Sequence, residues 1–230
     1  MNKPERETAF IFSSVKTIIG VSNLSAEDFR ETINALSEAE LPGYLRSHVR
    51  SRVPAAFATQ PLLWEAIRNW IATRVRVDPH EIGLSGSAQL GFSSAPQQFG
   101  QAFSSNRSDL DFFIVNGALF DALAVEIRQF CSKYGAATAS RYLDQVETLR
   151  RTESRGFFDL KQIPADHDKY PRCADMNNRA SIVVDKLKRH QFVLKHSFFR
   201  VYRSWHSFSN QTTTTYLRLR NTWRSAKRSA

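Results

Sequence analysis

Two runs decide how this chain is read: Glu81-Ile-Gly-Leu-Ser-Gly-Ser-Ala88 and Ser108-Asp-Leu-Asp-Phe-Phe-Ile-Val115. In the first, a short apolar stretch ends at the pair Gly86-Ser87. In the second, the pair Asp109 and Asp111 opens another apolar stretch. Side chains alternate along a strand, so acids spaced i, i+2 point to one face of a sheet. Two carboxylates held that close repel unless something cationic lies between them. Hard oxygen ligands suit Mg²⁺, which brings nucleotide phosphates with it. A Gly-Ser turn upstream offers backbone N–H groups and a hydroxyl to such phosphates.

In this order, and on these two runs, the chain resembles the DNA polymerase β-type nucleotidyltransferase superfamily. The resemblance covers about residues 81 to 116. It implies that Gly86 and Ser87, with Ser108 nearby, bind the triphosphate of an NTP. It implies that Asp109 and Asp111 hold Mg²⁺ (or Mn²⁺). The expected activity is transfer of a nucleoside monophosphate from an NTP to a hydroxyl of a nucleic acid, nucleotide or protein, with pyrophosphate released. The family also uses a third carboxylate from a neighbouring strand. Asp159, in Phe157-Phe-Asp-Leu160, has the right form, and Asp185, in Ile182-Val-Val-Asp185, is the runner-up. A turn residue is the plain alternative for Asp159. The gap between Ser87 and Asp109 is longer than usual for the family; its excess, Gly91 to Arg107, reads as a loop beside the site.

Composition sets the remaining bounds. With 230 residues, 42% apolar and including 17 Phe and 4 Trp, the chain has ample material for a packed core. No run of about 18 apolar residues exists to span a membrane. The first ten residues lack a secretion signal's pattern. Cys131 and Cys173 have neither metal-ligand spacing nor a disulfide framework, and a reducing cytoplasm is expected. The six histidines form no ligand pattern; Asp166-His-Asp168 reads as a solvated loop.

Charge is distributed unevenly. The segment Lys186 to Ala230 has eleven Lys and Arg and no acid, so it alone exceeds the chain's net charge of +10. Such asymmetry points to a polyanionic partner. Arg200, Arg203, Arg218 and Arg220 are the candidate phosphate or nucleic-acid contacts, interleaved with Phe198, Phe199, Tyr202, Trp205, Phe208, Tyr216 and Trp223. Helical spacing of several aromatics is equally well explained by a core.

Periodicity supplies the frame. Ser25 with Asp28 three residues on reads as a helix start, followed by Phe29, Ile33 and Leu36. Leu41-Pro-Gly43 reads as a break, with a short helix after it from Tyr44 to Val49. Leu63, Ile67, Trp70 and Ile71 mark a helix ending near Val75, and Leu119 to Cys131 another, stopped at Gly135. The expected architecture is α+β, with a nucleotidyltransferase-like mixed sheet flanked by helices. Residues 1–80 form a mostly helical extension, 81–205 the core and 206–230 a basic helix or tail. A second reading, from another class, is a catalytically degenerate module on this fold that binds nucleic acid or a protein partner, itself included. Family analogy places such modules in toxin–antitoxin or antiviral defence systems.

Overall fold

In the computed structural model, residues 24–50, 52–104, 106, 108–135, 142–166, 168–188 and 197–228 are described. The first ten residues, Arg107 and His167 therefore lie outside them. The architecture is α+β: a four-stranded mixed sheet flanked by helices. The strands are β1 (Ile82–Ser85), β2 (Leu110–Val115), β3 (Phe157–Asp159) and β4 (Ser197–Tyr202), in the order β1-β2-β4-β3. β2 runs antiparallel to β1 and parallel to β4, and β3 closes antiparallel on β4.

The alternation in each strand divides the sheet into two unlike faces. One face carries Ile82, Leu84, Leu110, Phe112, Ile114, Phe158, Phe199 and Val201, all buried in the main core. Phe112 stacks on Phe199 with ring centroids 4.9 Å apart. Three helices supply much of the rest of that core: α3 (Pro61–Val75) through Trp64, Ile67 and Ile71, α5 (Gly117–Gly135) through Phe120, Leu123 and Ile127, and α6 (Leu143–Ser154) through Val146 and Leu149. The expected helices over 63–75 and 119–135 are present. The fourth helix here, α7 (Pro171–Lys188), contains Asp185, so the runner-up acid is helical and not on a strand. Glu126, buried on α5, accepts the backbone N–H groups of Arg172 and Cys173 at 3.1 and 3.0 Å and so caps α7.

A second, smaller core ties both ends of the described chain together. α1 (Ala26–Ala35) starts at Ser25, whose Oγ accepts from the Asp28 N–H at 3.1 Å. α1 ends before Leu41, and the short helix expected from Tyr44 to Val49 begins three residues earlier: α2 (Leu41–Leu45) places Pro42 in its first turn, where a missing N–H costs nothing, and runs on into a π-turn over Arg46–Arg50. The basic C-terminal segment forms α8 (Trp205–Arg228), which lays Tyr216 and Trp223 against Phe29, Ile33, Leu41 and Phe92. Phe29 meets the rings of Tyr44, Phe92 and Tyr216 at 5.4 to 5.9 Å.

The described residues of the stretch 91–107, expected to be a loop beside the site, bring Ser94 to the cavity described below and are pinned by other contacts. Phe92 bridges Ala102, the Ser93 N–H donates to Gln101 O at 2.8 Å, and Phe99 packs edge-on against Trp223 at 5.3 Å. Its phenylalanines are the reason, since they have an apolar core to enter.

Phe29→Ala removes a fully buried ring that three aromatics share, and is expected to lower unfolding free energy by about 3–5 kcal/mol in urea melts. Glu126→Ala leaves the buried Cys173 N–H and the half-buried Arg172 N–H uncapped, at an expected cost of about 1–3 kcal/mol in the same measurement.

Candidate active site

The second face of the sheet carries the polar groups. Register places Ser85, Asp111 and Phe113 with Arg200 and Tyr202, and Asp159 and Phe157 beyond them. Phe113, Val115, Phe157, Tyr202 and Phe208 form a small apolar cluster there. Beside it lies a cavity of about 360 Å³, lined by Ser85, Gly86, Asp111, Asp159, Lys161, Arg200 and Tyr202, with Gln211, Thr212 and Thr215 of α8 as its opposite wall.

Gly86 is the tightest point. It begins the five-residue helix α4 (Gly86–Leu90) with φ of +67°, a conformation that costs an L side chain about 1–2 kcal/mol. A Cβ there would sit 3.1 Å from Asp111 Oδ2. Glycine is therefore required twice, for its backbone angle and to let the turn lie against the carboxylate. Ser85 Oγ donates to Asp111 O at 3.3 Å and ties the turn to β2. Ser87 lies one residue into α4, half-buried, with its carbonyl accepting from the Gly91 N–H at 2.8 Å.

Asp109 lies just before β2, two residues from Asp111 and close enough for its charge to act on that carboxyl, but it is not among the residues that line the cavity. Its Oδ1 is buried without a hydrogen-bond partner. Burial pushes the Asp111 carboxyl above the usual carboxylate range; the charges of Asp109 and Asp159 push the same way, and those of Lys161 and Arg200 oppose them. The acids and cations of this face thus form one coupled cluster.

Asp159 reaches the cavity, but one strand too far. β4 intervenes between β2 and β3, and Asp159 is level with Phe113, two residues along from Asp111, so the Asp111 and Asp159 backbones are about 12 Å apart. The strand beside β2 offers a cation two residues along from the level of Asp111: Arg200, opposite Phe113 and Asp159, donates to Asp159 Oδ2 at 2.9 Å. Burial works against the Arg200 charge, yet Tyr202 and Asp159 more than offset it and hold the guanidinium firmly charged. Asp159 Oδ1 also accepts from the Lys161 N–H at 3.2 Å, capping the 3-10 turn Leu160–Gln162. Arg200 Nε is buried without a partner. The site so holds one orphaned acid oxygen and one orphaned cationic donor.

Three expected contacts lie elsewhere. Ser108 closes the 104–108 loop, its Oγ accepting from the Ser104 N–H at 3.2 Å. Arg203 pairs with Asp121 at 3.1 Å and lies over the Phe120 ring. Arg220 is only 7% exposed, where a phosphate contact was expected; it donates to Leu36 O at 3.0 Å and pairs with Glu38 at 3.5 Å, serving the join between α8 and α1. Arg218 is exposed on α8.

Lys161, Gln211, Thr212, Thr215 and Tyr216 were not legible as site residues. The Thr212–Thr215 run had no interpretation until α8 turned two of its threonines to the cavity. Burial raises the Tyr216 phenol to about 12, so it is not a base near neutrality.

Do these residues suit a divalent cation? Among the described residues there is no group of three His, Cys, Asp or Glu positioned to hold one. Two carboxylates two residues apart, one with an orphaned oxygen, do fit a cation that keeps several waters and takes its other ligands from a phosphate, as Mg²⁺ does. Comparison with models of known families, with curated proteins and with solved structures found no match for this chain. No helix among the described residues is long and apolar enough to cross a membrane.

Gly86→Ala forces either the turn or the Asp111 carboxylate to move. It is expected to cost about 1–2 kcal/mol of stability, read by thermal or urea unfolding.

Proposed function

We propose that this chain is a metal-dependent nucleotidyltransferase, moving a nucleoside monophosphate from an NTP to an acceptor hydroxyl. The observation that carries this reading is the close approach of Gly86 to Asp111, with the orphaned Asp109 oxygen two residues away. Asp109 and Asp111 would hold Mg²⁺ or Mn²⁺, which when bound supplies charge neutralisation at the triphosphate. Gly86, lacking a Cβ, lets phosphate oxygens reach the backbone of the turn, and Ser87 adds a hydroxyl. Arg200 faces the cavity with an unused Nε–H, suited to a phosphate oxygen. Asp159 orients Arg200 through their 2.9 Å pair. One Asp159 oxygen is taken by that guanidinium and the other by the Lys161 N–H, so Asp159 serves first as a positioning residue. Bond-making joins the acceptor oxygen to the α-phosphorus as the bond to pyrophosphate breaks.

A second reading has its own support. The strand next to β2 presents Arg200, not a third acid, and such a site binds a nucleotide more readily than it turns one over. On that reading the chain is a binding module on the same scaffold.

Two measurements separate these readings. Purified protein with labelled NTPs and Mg²⁺ is expected to form a labelled product and pyrophosphate, and Asp109→Ala/Asp111→Ala to form none. Mn²⁺ at about 100 times its Kd is expected to stabilise the native protein by about 2.7 kcal/mol and leave the double variant unmoved. Cation-dependent stabilisation with no product from any NTP would leave the binding module standing and reject the enzyme.

A further inference from the structure

The start of α8 borders a second cavity, of about 470 Å³, that the site described above does not use. It is lined by Ser154, Arg155 and Gly156 at the end of α6 and the turn beyond it, by Arg203, and by His206, Ser207, Asn210, Gln211 and Thr214 of α8. Two features of this lining decide what it takes. It has no carboxylate and no apolar side chain, so neither a metal ion nor a lipid or apolar peptide is suited to it. It has two arginines and a set of hydroxyl and amide groups, which together suit phosphate oxygens. Two acids border it from outside: Asp121 pairs with Arg203 of the lining at 3.1 Å, an exposed pair that a phosphate can compete for, and Glu153 pairs with Arg128 at 2.6 Å.

The cavity also has a direction. Gln211 lines both this cavity and the one holding Asp111. His206, Asn210 and Thr214 follow at i, i+4 and i+8 on one side of α8, and Thr215 lies at the site itself. From His206 to Thr215 the helix rises about 14 Å. A polymer lying in the second cavity would therefore end beside Asp111. No Phe, Tyr or Trp lines it, and its one ring, the His206 imidazole, is hydrogen-bonded through Nε2 to the Asn210 amide at 2.9 Å, so it offers no large platform on which bases stack.

We propose that this cavity is the backbone subsite of a single-stranded nucleic acid, gripped through its phosphodiesters by Arg155 and Arg203 without regard to sequence. Placing the strand's end at the acceptor position rests on the transferase reading; the binding itself does not. Arg203, one of the arginines expected at a polyanion, enters here. Arg155 does not belong to the basic C-terminal segment at all, and is brought to it by the fold.

The test is anisotropy of a fluorescein-labelled 12-nucleotide RNA in EDTA, without NTP, across a salt series. The wild type is expected to bind with a log–log salt slope that Arg155→Gln/Arg203→Gln flattens by about 1.4, two contacts at about 0.7 each. That corresponds to about 25-fold weaker binding at 0.1 M salt relative to 1 M. Asn210→Glu, which sets a carboxylate in the exposed lining, is expected to weaken binding as well. Both variants are checked for an unchanged melting temperature. Equal slopes and affinities in wild type and variants overturn the proposal. Displacement of the RNA by inorganic tripolyphosphate at equal phosphate concentration also overturns it, by showing a free-phosphate site. Asp109→Ala/Asp111→Ala is expected to keep its RNA affinity, so loss of turnover alone would strike the transferase reading and leave this subsite intact.

Discussion

A carboxylate in the middle of a sheet whose other face is a packed hydrocarbon core is the constraint on which this molecule turns. Asp111 follows Leu110 and precedes Phe112, and both neighbours are buried. The alternation that drives them into the core lifts Asp111 to the opposite face. Burial there disfavours its charge, and Asp109 adds a like charge from two residues away. The fold answers with a glycine turn that leaves one side of the carboxylate without a side chain, and with Arg200 and Lys161 whose fields favour ionisation. None of these groups neutralises Asp109 Oδ1. A stable core does not need such an arrangement, because an apolar residue at either position would be cheaper.

The same sheet explains why the acids separate into two groups. β4 enters between β2 and β3, so a strand carrying Arg200 stands where the nucleotidyltransferase resemblance leads one to look for an acid. Asp159 then meets Arg200 before it meets Asp111. The order of strands, more than the identity of any residue, sets how many carboxylates face a cation. It also fixes the position of Arg200, which a flexible loop would not do.

The sequence made some of this legible and hid the rest for physical reasons. The helices over 61–75 and 117–135 follow from apolar residues every three to four positions, and β1 and β2 from short apolar runs bounded by turn and acid. β4 was hidden because Phe198-Phe-Arg-Val-Tyr202 lies in a basic stretch, where its arginine drew the reading towards phosphate. Pairing with β2 at long sequence separation is not visible locally. The cations misled in a related way. A run of charge in sequence is scattered around a helix at about 100° per residue. Arg220 and Arg224 of α8 both turn to α1 and donate to Leu36 O and Asn34 O at 3.0 and 2.6 Å. They meet the carbonyl end of that helix, where positive charge is favoured. Arg218, two residues from Arg220, faces solvent. What reads as one basic patch is in the fold a clamp, an exposed face and two cavity walls.

α8 is therefore the element through which the parts communicate. Its middle and end complete the smaller core with Tyr216 and Trp223, and its start packs Phe208 against Phe113 with ring centroids 4.4 Å apart. Gly156, at φ of +76°, lies so close to Ser207 that a Cβ would meet Ser207 Oγ at 2.3 Å, which fixes where α8 begins. A helix held at both ends by packing presents Gln211, Thr212 and Thr215 to the site on a rigid support rather than on a loop. The aromatic residues of the C-terminal segment thus act in packing, and that packing gives the polar residues between them their place. Anything that loosens the smaller core acts on the site through the wall that α8 provides.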